Sequence, residues 1–427
     1  MRHLQSILFL SLCMLLLSGC EKLSNQQEGY EVEYLSFYND SCEMWGLMDT
    51  NGKVLVEPRF ENTPSNVVNG RFSVNVDGLF YLYTAEEKPC KLGTFTDLGS
   101  FTGDLCPAVA RGDNEIIYID KEGREVLRPG KIDGKDITTA YNFFCGRSLI
   151  RLDDYKYGFL DEKGKNVIPC RYVDAWNFHD DVAIVYLDEA INIEEDTENS
   201  KGKWGVIDLD GNLLFTKTYG EMTPANYRFD EGLTIAQTTD GKLAILNKTG
   251  ETVNIIDAED SQGNIYNGRF AFRQNGKMGL MGTDGQVLIR AMYESLEYNG
   301  KLIIASKDDE QFFLLTPDGE KKGTLPKGWA SLLESDFNNH GNCIIVRVDD
   351  EKVILADGNG KELNSGISTS TISTSFWYAV IKPSEEEEYT DDQEWLDDEE
   401  YIEEVEEDDD ELEEAIDELE EYLDEDE

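Results

Sequence analysis

The chain has 427 residues with 88 acidic and 38 basic side chains, and its formal net charge is −50 at pH 7. Such an excess of negative charge argues against DNA or RNA as a partner, because the phosphates would repel the protein. The length alone would fit two or three ordinary domains. An internal repeat overrides that count, since stacked repeats share one continuous core.

The chain opens with the features of an export signal. Arg2 supplies a positive end, and the apolar run from Leu4 to Leu16 is shorter than the ~20 apolar residues of a membrane span. Leu17-Ser18-Gly19-Cys20 closes this run and resembles the lipobox of bacterial lipoprotein signal peptides. The resemblance implies that residues 1–19 are removed and that Cys20 receives a diacylglyceryl group. An ordinary secreted protein with a chance cysteine at this place is the alternative.

The resemblance to a lipoprotein also predicts where the mature protein resides. A lipid on Cys20 would anchor the protein to a membrane without a spanning segment. We therefore expect a lipid-anchored protein of the bacterial cell envelope, at the outer membrane or the cell surface. Residues 20–34 are expected to form a polar tether.

A nine-residue stretch around Trp204 has counterparts along most of the chain. In an extended strand Trp204 and Val206 lie on one face while Gly205 and Ile207 lie on the other, so both faces are apolar and the strand is predicted to be covered on both sides. Nine anchors recur at intervals of 34 to 47 residues: Trp45, Phe80, Ile116, Tyr157, Trp204, Leu243, Met278, Phe312 and Val353. A turn glycine lies seven residues after eight of the nine anchors, and only the second unit has Glu87 there instead.

Each unit is predicted to form three short strands. The anchor strand is followed, after the glycine turn, by a second apolar run such as residues 213–215, and a third run begins with a Gly-Arg-Phe signature, as at residues 70–72. Dipeptides that favour two-residue hairpins, such as Asp77-Gly78, return the chain to the next anchor. Two more strands of the third type are predicted, over residues 34–38 before the first anchor and over residues 375–381 after the last.

Three units carry the pattern aromatic-Gly-apolar-apolar-Asp, and residues 229–233 form a second block, Phe-Asp-Glu-Gly-Leu. Both patterns resemble the repeat of WG-repeat proteins, and the likeness extends over residues 35–383. The resemblance implies β-strand repeats in bacterial proteins and supplies no catalytic residue. It marks the aromatic–glycine pairs as structural core positions: Trp45 and Gly46, Tyr157 and Gly158, and Trp204 and Gly205.

These patterns predict an all-β array. Three strands of about five residues plus turns fill one period. An isolated unit could not bury two apolar faces, so the units must stack on one another. We expect about nine short three-stranded units over residues 35–383, arranged as a β-propeller-like ring. An open β-solenoid is the alternative.

Six cysteines remain once the signal peptide and the lipid site are set aside. An exported compartment permits disulfides, but the sequence selects no pairing, and buried free thiols are an equal alternative. No Cys-x-x-Cys pair is present, which argues against a structural zinc site. The six are Cys42, Cys90, Cys106, Cys145, Cys170 and Cys343.

The sequence predicts no catalytic residue, metal site or cofactor. His179 and His340 are the histidines of the mature chain, and neither has a triad or metal-ligand partner at a recognisable spacing. The Asp pairs at 153–154, 308–309 and 349–350 all fall at the turn before an anchor, where Asp is favoured on its own account. Residues 111–113 form an Arg-Gly-Asp tripeptide at the same turn position, and we interpret it as a turn.

The C-terminal stretch differs in kind from the rest. Residues 384–427 contain 29 Asp or Glu and no Lys or Arg, which leaves a net charge of −21 on residues 1–383. Self-repulsion predicts a disordered tail. Apolar residues at near-helical spacing from Ile402 to Leu423 favour a helix once the charge is neutralised. A cationic protein or divalent ions are the partners that such a tail would bind.

Three functions are compatible with these features. We favour a lipid-anchored cell-envelope protein, without enzymatic activity, that binds or scaffolds a protein or glycan partner through its repeat surface. In the second interpretation the polyanionic tail is the active part and the array is a spacer. The third and least favoured is an envelope enzyme that acts on glycans. The sequence does not identify the partner or the residues that bind it.

Overall fold

The computed structural model describes residues 32–187, 202–332, 344–349, 352–373, 375 and 379–382. Within these residues the chain forms 35 strands and no helix, in keeping with the predicted all-β class. The chain divides after Pro383 into two compact units, and the residues described belong to the first. The predicted signal peptide, Cys20, His340, Cys343 and the acidic tail lie outside the described residues.

The strands group around the nine predicted anchors. We call each group a blade and number the blades in anchor order. Blades 1 to 3 contain β1 (Val32–Asn39), β2 (Met44–Asp49), β3 (Val54–Phe60), β4 (Val67–Val68), β5 (Arg71–Val76), β6 (Leu79–Thr84), β7 (Lys91–Leu98), β8 (Cys106–Ala110), β9 (Ile116–Ile119) and β10 (Glu125–Leu127). Blades 4 to 6 contain β11 (Ile137–Phe144), β12 (Arg147–Leu152), β13 (Tyr157–Asp161), β14 (Asn166–Tyr172), β15 (Asp174–Ala175), β16 (Val182–Tyr186), β17 (Lys203–Asp208), β18 (Leu213–Thr218), β19 (Met222–Pro224), β20 (Leu233–Thr238), β21 (Leu243–Asn247) and β22 (Thr252–Ile256).

Blades 7 to 9 complete the series and are followed by two C-terminal strands. Blades 7 to 9 contain β23 (Asp260–Tyr266), β24 (Arg269–Gln274), β25 (Lys277–Gly282), β26 (Val287–Tyr293), β27 (Ser295–Tyr298), β28 (Ile303–Ser306), β29 (Phe312–Leu315), β30 (Lys321–Thr324), β31 (Trp329–Leu332), β32 (Ile344–Asp349) and β33 (Lys352–Ala356). The last two strands are β34 (Thr369–Ser373) and β35 (Ala379–Ile381).

Blades 5 to 8 are separate four-stranded sheets whose strands lie in chain order. In blade 5 the anchor strand β17 pairs with β16 on one side and with β18 on the other, as the repeat pattern predicted. The two-residue strand β15 pairs with β16 and adds a first strand to the three that were predicted. Blades 1 to 3 join into one sheet, because β4 pairs with both β1 and β5, and β7 pairs with both β6 and β8.

Nine apolar clusters form the core of the described residues, and each lies between two consecutive blades. Trp204 and Val206 of β17 share a cluster with Leu246 of blade 6. Ile207 of the same strand shares a different cluster with Phe159 of blade 4. The anchor strand of blade 5 is therefore covered on both faces. Burial of apolar surface between neighbouring sheets, at about 25 cal/mol per Å², is what holds the blades together.

The last blade packs against the first. Phe37 of β1 lies in one apolar cluster with Val353 of β33. The C-terminal strand β34 pairs with β1, with Ser373 opposite Ser36, and so joins the two ends of the chain in one sheet. The blades thus close into a ring, which confirms the β-propeller-like arrangement over the open solenoid.

Of the two end strands predicted from the sequence, the first agrees with the structure and the second differs from it. Residues 34–38 lie within β1 and pair with the anchor strand β2, as expected. Residues 375–381 do not form one strand of the third type. Instead, β34 lies upstream of this range, and β35 pairs with β11 of blade 4, away from the last blade.

In the part of the chain that the structure describes, no helix has the length and apolar character needed to cross a membrane.

Candidate functional site

The first strands of the blades converge on the centre of the ring. The C-terminal stretch from β34 to β35 touches the first strands of four blades within a few residues. β34 pairs with β1 in blade 1, and the carbonyl of Ser375 accepts a hydrogen bond from the backbone N–H of Asn66 in blade 2 (3.0 Å). Ile381 of β35 donates to Asp97 of β7, which pairs with β8 in blade 3, and β35 itself pairs with β11 in blade 4. Because one short segment reaches these strand edges in four blades, we infer that the edges face the centre of the ring.

Asp97 of β7 fixes the end of this crossing segment. One of its carboxylate oxygens accepts a hydrogen bond from the backbone N–H of Ile381 at 2.8 Å. Burial raises the pKa of the Asp97 carboxyl above its ordinary value, and the hydrogen bonds from Ile381 and Leu98 partly offset that effect. The raised pKa means that the folded protein disfavours the charged form of Asp97, so burial of this carboxylate lowers the stability of the fold more at neutral pH than in acid, and the two hydrogen bonds reduce that cost.

Four asparagines, of which Asn66 and Asn142 are buried and the other two half-buried, lie on the first-strand segments of blades 2, 4, 5 and 6. They are Asn66, Asn142, Asn177 and Asn226, and each has at least one side-chain amide atom without a hydrogen-bond partner within the described residues. Asn142 is fully buried and neither its Oδ1 nor its Nδ2 has such a partner. An unpaired buried polar group costs about 1–3 kcal/mol. A polar molecule bound at the ring centre would relieve that cost, so we call these four residues the amide row.

An exposed tryptophan lies on the same inner edge. Trp329 begins β31, the first strand of blade 9, and 53% of its surface is exposed. It sits opposite Arg347 of β32 in the strand register. Exposed Trp beside Arg is the combination most often found where proteins bind partners, because both offer large contact areas together with polar groups.

Hydrogen bonds tie each blade to the next at the turn between its first and second strands. The Nδ2 of Asn69 donates to the carbonyl of Phe101 at 2.8 Å, and the Nδ2 of Asn267 donates to the carbonyl of Gly300 at 2.8 Å. The carboxylate of Glu231 accepts from the backbone N–H groups of Asn267 and Gly268, at 2.6 and 2.8 Å. The block at residues 229–233 is therefore structural, since its acidic side chain joins blades 6 and 7.

The predicted aromatic core positions differ in burial. Trp204 is fully buried, and its Nε1 donates a hydrogen bond to the carbonyl of Met222 at 2.6 Å. Trp45 and Tyr157 are only partly buried. Trp45 packs edge-on against Tyr38, with ring centroids 5.4 Å apart. Residues at the same repeat position thus contribute unequally to the core.

The paired glycines allow close approach of the neighbouring strand. A Cβ on Gly46 would lie 2.7 Å from the carbonyl oxygen of Val56, and one on Gly158 would lie 2.6 Å from the Sγ of Cys170. At Gly205 it would lie 2.7 Å from the Cδ1 of Leu213, a residue of the same blade. A larger side chain at Gly205 would therefore first meet the outer strand of its own blade.

The other residues with potential chemistry have structural partners. The carboxylate of Asp308 accepts the backbone N–H groups of its own turn, which lowers its pKa, and Asp154 pairs with Lys135. Asp113 of the Arg-Gly-Asp turn contacts Arg128 at 2.7 Å. His179 lies in a turn, with its ring 5.7 Å from that of Phe144. No group of three metal-binding side chains occurs within the described residues.

The cysteines within the described residues are unpaired. Cys42 and Cys90 are exposed, Cys145 and Cys170 are half-buried, and Cys106 is fully buried. Burial raises the pKa of the Cys106 thiol well above its usual range and raises that of Cys170 to about 12. Of the two alternatives left open by the sequence, the structure shows free thiols at these five positions, and those at Cys106 and Cys170 are poor nucleophiles.

Three stretches of the chain match the family model of the WG containing repeat: residues 45–80, 157–189 and 204–242. The chain contains WG repeats. The matches begin at Trp45, Tyr157 and Trp204, the anchors of the three units with the aromatic-glycine pattern. The resemblance noted in the sequence is confirmed for these units. No curated protein matches the chain by sequence.

One solved structure shows the same kind of fold at low sequence identity, and two others match with lower TM-scores. The chain is similar to a eukaryotic initiation factor, with 12% identity, a TM-score of 0.52 and coverage of 83% of this chain and 99% of that one. It also matches BamB from Moraxella catarrhalis, with 11% identity, a TM-score of 0.37 and coverage of 73% and 95%. A third match is the dihydro-heme d1 dehydrogenase NirN, with 13% identity, a TM-score of 0.43 and coverage of 80% and 74%. The similarity to the initiation factor shows a shared fold and nothing about function.

Proposed function

We propose that the protein is a lipid-anchored binding or scaffolding protein of the bacterial cell envelope, which presents its WG-repeat ring to a protein or glycan partner. Its role is binding without catalysis and without a cofactor. The observation that carries the proposal is the inner edge of the ring, where Trp329 is exposed and each residue of the amide row has a buried amide atom without a hydrogen-bond partner within the described residues. Stacking on an aromatic ring and hydrogen bonding to amides are the contacts that a peptide or a sugar makes.

Anchoring through Cys20 rests on the lipobox-like sequence that precedes it. A Cys20→Ala protein should remain unprocessed or lose its lipid. Labelling of cells with a radioactive fatty acid, followed by detergent partitioning of the tagged protein, measures this directly. Equal labelling of the wild type and the variant would contradict the anchoring and leave the ring's binding role to be judged separately.

The binding role can be tested by crosslinking in cells. A photoreactive amino acid at position 329 should capture a discrete partner, because this side chain is exposed at the inner edge of the ring. The matched control position is Val126, which is exposed to a similar extent on the outer strand β10. Capture of the same species from both positions, or from neither, would argue against a partner at the ring centre.

The tail offers a second candidate function because its 29 acidic residues could bind a cationic protein or divalent ions. The same crosslinking on a chain that ends at residue 383 separates the two. Capture at position 329 should persist without the tail if the ring binds the partner. Loss of all capture would assign the binding to residues 384–427.

A further inference from the structure

The outer edge of the ring carries a charge pattern that is opposite to that of the chain. The last strands of blades 4 to 8, which are β14, β18, β22, β26 and β30, contain five basic residues and no acidic residue: Arg171, Lys217, Arg290, Lys321 and Lys322. Residues 1–383 as a whole hold 59 acidic against 38 basic residues. We call the outer surface of these five strands the basic rim.

The cations of the basic rim are not neutralised by carboxylates. Within the described residues none of the five forms an ion pair, whereas Arg128 of blade 3 contacts three carboxylates, those of Asp113, Glu115 and Glu125. Three of the rim cations lie over aromatic rings instead: Arg171 over Tyr172, Lys217 over Phe215 and Lys321 over Phe313. A cation held over a ring keeps its remaining donors available for an anionic partner.

Aliphatic side chains are exposed on the same strands. Val253 and Ile255 are two residues apart on β22, so they lie on one face of the strand, and more than half of each is exposed, 56% and 57%. The full set is Leu213, Leu214, Val253, Ile255, Val287 and Met292. The basic rim therefore combines positive charge with apolar surface.

The five strands also have open edges. Each is the last strand of its sheet, and no further strand pairs with its outer side within the described residues. An edge strand presents backbone N–H and C=O groups that another extended chain can pair with. Positive charge, apolar side chains and open backbone groups occur together on this one surface.

We infer that the basic rim binds an extended, acidic segment of a partner protein, with apolar residues between its carboxylates, by adding it as a strand to the outer edge of a blade. The carboxylates of the segment meet Arg171, Lys217 or Arg290, and its apolar side chains cover Leu213, Val253 or their equivalents. This inference adds a second surface, at the outer edge, and a partner class to the proposed binding role, and it rests on that role.

A peptide fits the basic rim better than an anionic membrane. The outer edge of a closed ring is convex, so a flat bilayer would touch one or two blades, while the basic residues are spread over four blades. Lipid head groups also cannot form the regular row of backbone hydrogen bonds that a paired strand would make with the open edge strands. Charge complementarity and the open edges therefore select a polypeptide.

The test measures binding of a short fluorescent peptide of alternating glutamate and valine to the purified full-length protein by anisotropy. The triple variant Arg171→Gln, Lys217→Gln, Arg290→Gln should bind about tenfold more weakly at low salt, with the difference shrinking as salt is added. The matched control is Lys53→Gln, Arg59→Gln, Lys361→Gln, which removes the same charge from exposed residues of blades 1 and 9 and should bind like the wild type.

Two further measurements separate strand addition from simple attraction between charges. The variant Val253→Ser, Ile255→Ser should weaken binding without changing the net charge, and polyglutamate or a backbone N-methylated peptide should bind poorly to the wild type. Equal loss in the two triple variants, or equal binding of the N-methylated peptide, would overturn the inference. Undiminished capture at position 329 in the same variants would show that the proposed function stands although the rim assignment fails.

Discussion

The turn glycine that follows eight of the nine anchors shows how one residue position serves the ring. At Gly250 the backbone φ is +79°, a conformation that is unfavourable for other residues. The turn pattern in the sequence predicted this requirement for glycine. The structure adds a second requirement. A Cβ at Gly250 would overlap the ring of Phe215 in the preceding blade, and one at Gly52 would overlap the backbone of Leu363 in the last blade. The sequence could not reveal this contact, because it joins residues of different units.

A matched pair of glycine variants should separate the two requirements. Gly241→Ala changes a turn residue with a φ of +75° and no atom within 4 Å of the added Cβ, so it should cost about 1 kcal/mol of unfolding free energy. Gly250→Ala should cost about 1–3 kcal/mol more, because it also overpacks the contact between blades 5 and 6. Urea unfolding of both variants, followed by tryptophan fluorescence, measures the difference. Equal midpoints would mean that the turn glycine serves the turn alone.

Two tryptophans at the same repeat position should respond differently to truncation. Trp204→Ala should lower the free energy of unfolding by about 3–5 kcal/mol, because the side chain is fully buried and its N–H is paired. Trp45→Ala should cost less, because this side chain is partly exposed. Thermal unfolding of the two variants in parallel checks the order. An unchanged midpoint for Trp204→Ala would contradict the stacking of blades 5 and 6.

At the scale of the element, hairpins were predictable and first strands were not. The anchor strand β17 and its neighbours follow from an apolar run, a glycine turn and a hairpin dipeptide, all of which are local in sequence. The first strand β15 has two residues, Asp174 and Ala175, and exists because it pairs with β16. Two residues are too few to form a pattern that predicts a strand, so this element depends on the tertiary structure.

The Gly-Arg-Phe signature has a role that only the assembled blades explain. The Nε of Arg71 donates to the carbonyl of Lys121 in the next blade, and Arg269 makes the equivalent contact with the carbonyl of Pro317 at 3.0 Å. The carbonyl lies in the turn that follows the anchor. The sequence marked these arginines as part of a repeat, but their partners lie far along the chain, at separations of 50 and 48 residues. Local patterns therefore identified the residues that join the blades without showing what they join.

At the scale of the whole molecule, the choice between a ring and an open array depended on contacts between the chain ends. The side chain of Ser368 donates to the carboxylate of Asp40 at 3.1 Å, and the hydroxyl of Thr369 donates to the carbonyl of Tyr38 at 2.9 Å. These partners are 328 and 331 residues apart. Nine similar units give the same local pattern in either arrangement, so the sequence left both open. The amide row and the basic rim were likewise not found from sequence, because each is assembled from several blades.

Closure of the ring should contribute measurably to stability. A chain that ends at residue 366 lacks β34 and β35, so it loses the ladder on β1, the apolar contact of Ile372 with Phe37, and the bond from Ile381 to Asp97. We expect it to lose about 3 kcal/mol or more of unfolding free energy relative to a chain that ends at residue 383, because Phe37 and the edge of β1 become exposed. Both chains lack residues 384–427, so the comparison does not depend on the tail. Urea midpoints measured by circular dichroism at physiological salt test this expectation. Equal midpoints would mean that the contact between blades 9 and 1 already closes the ring and that the C-terminal strands add no stability. A lower and broader transition for the shorter chain would show that β34 and β35 stabilise the closed ring.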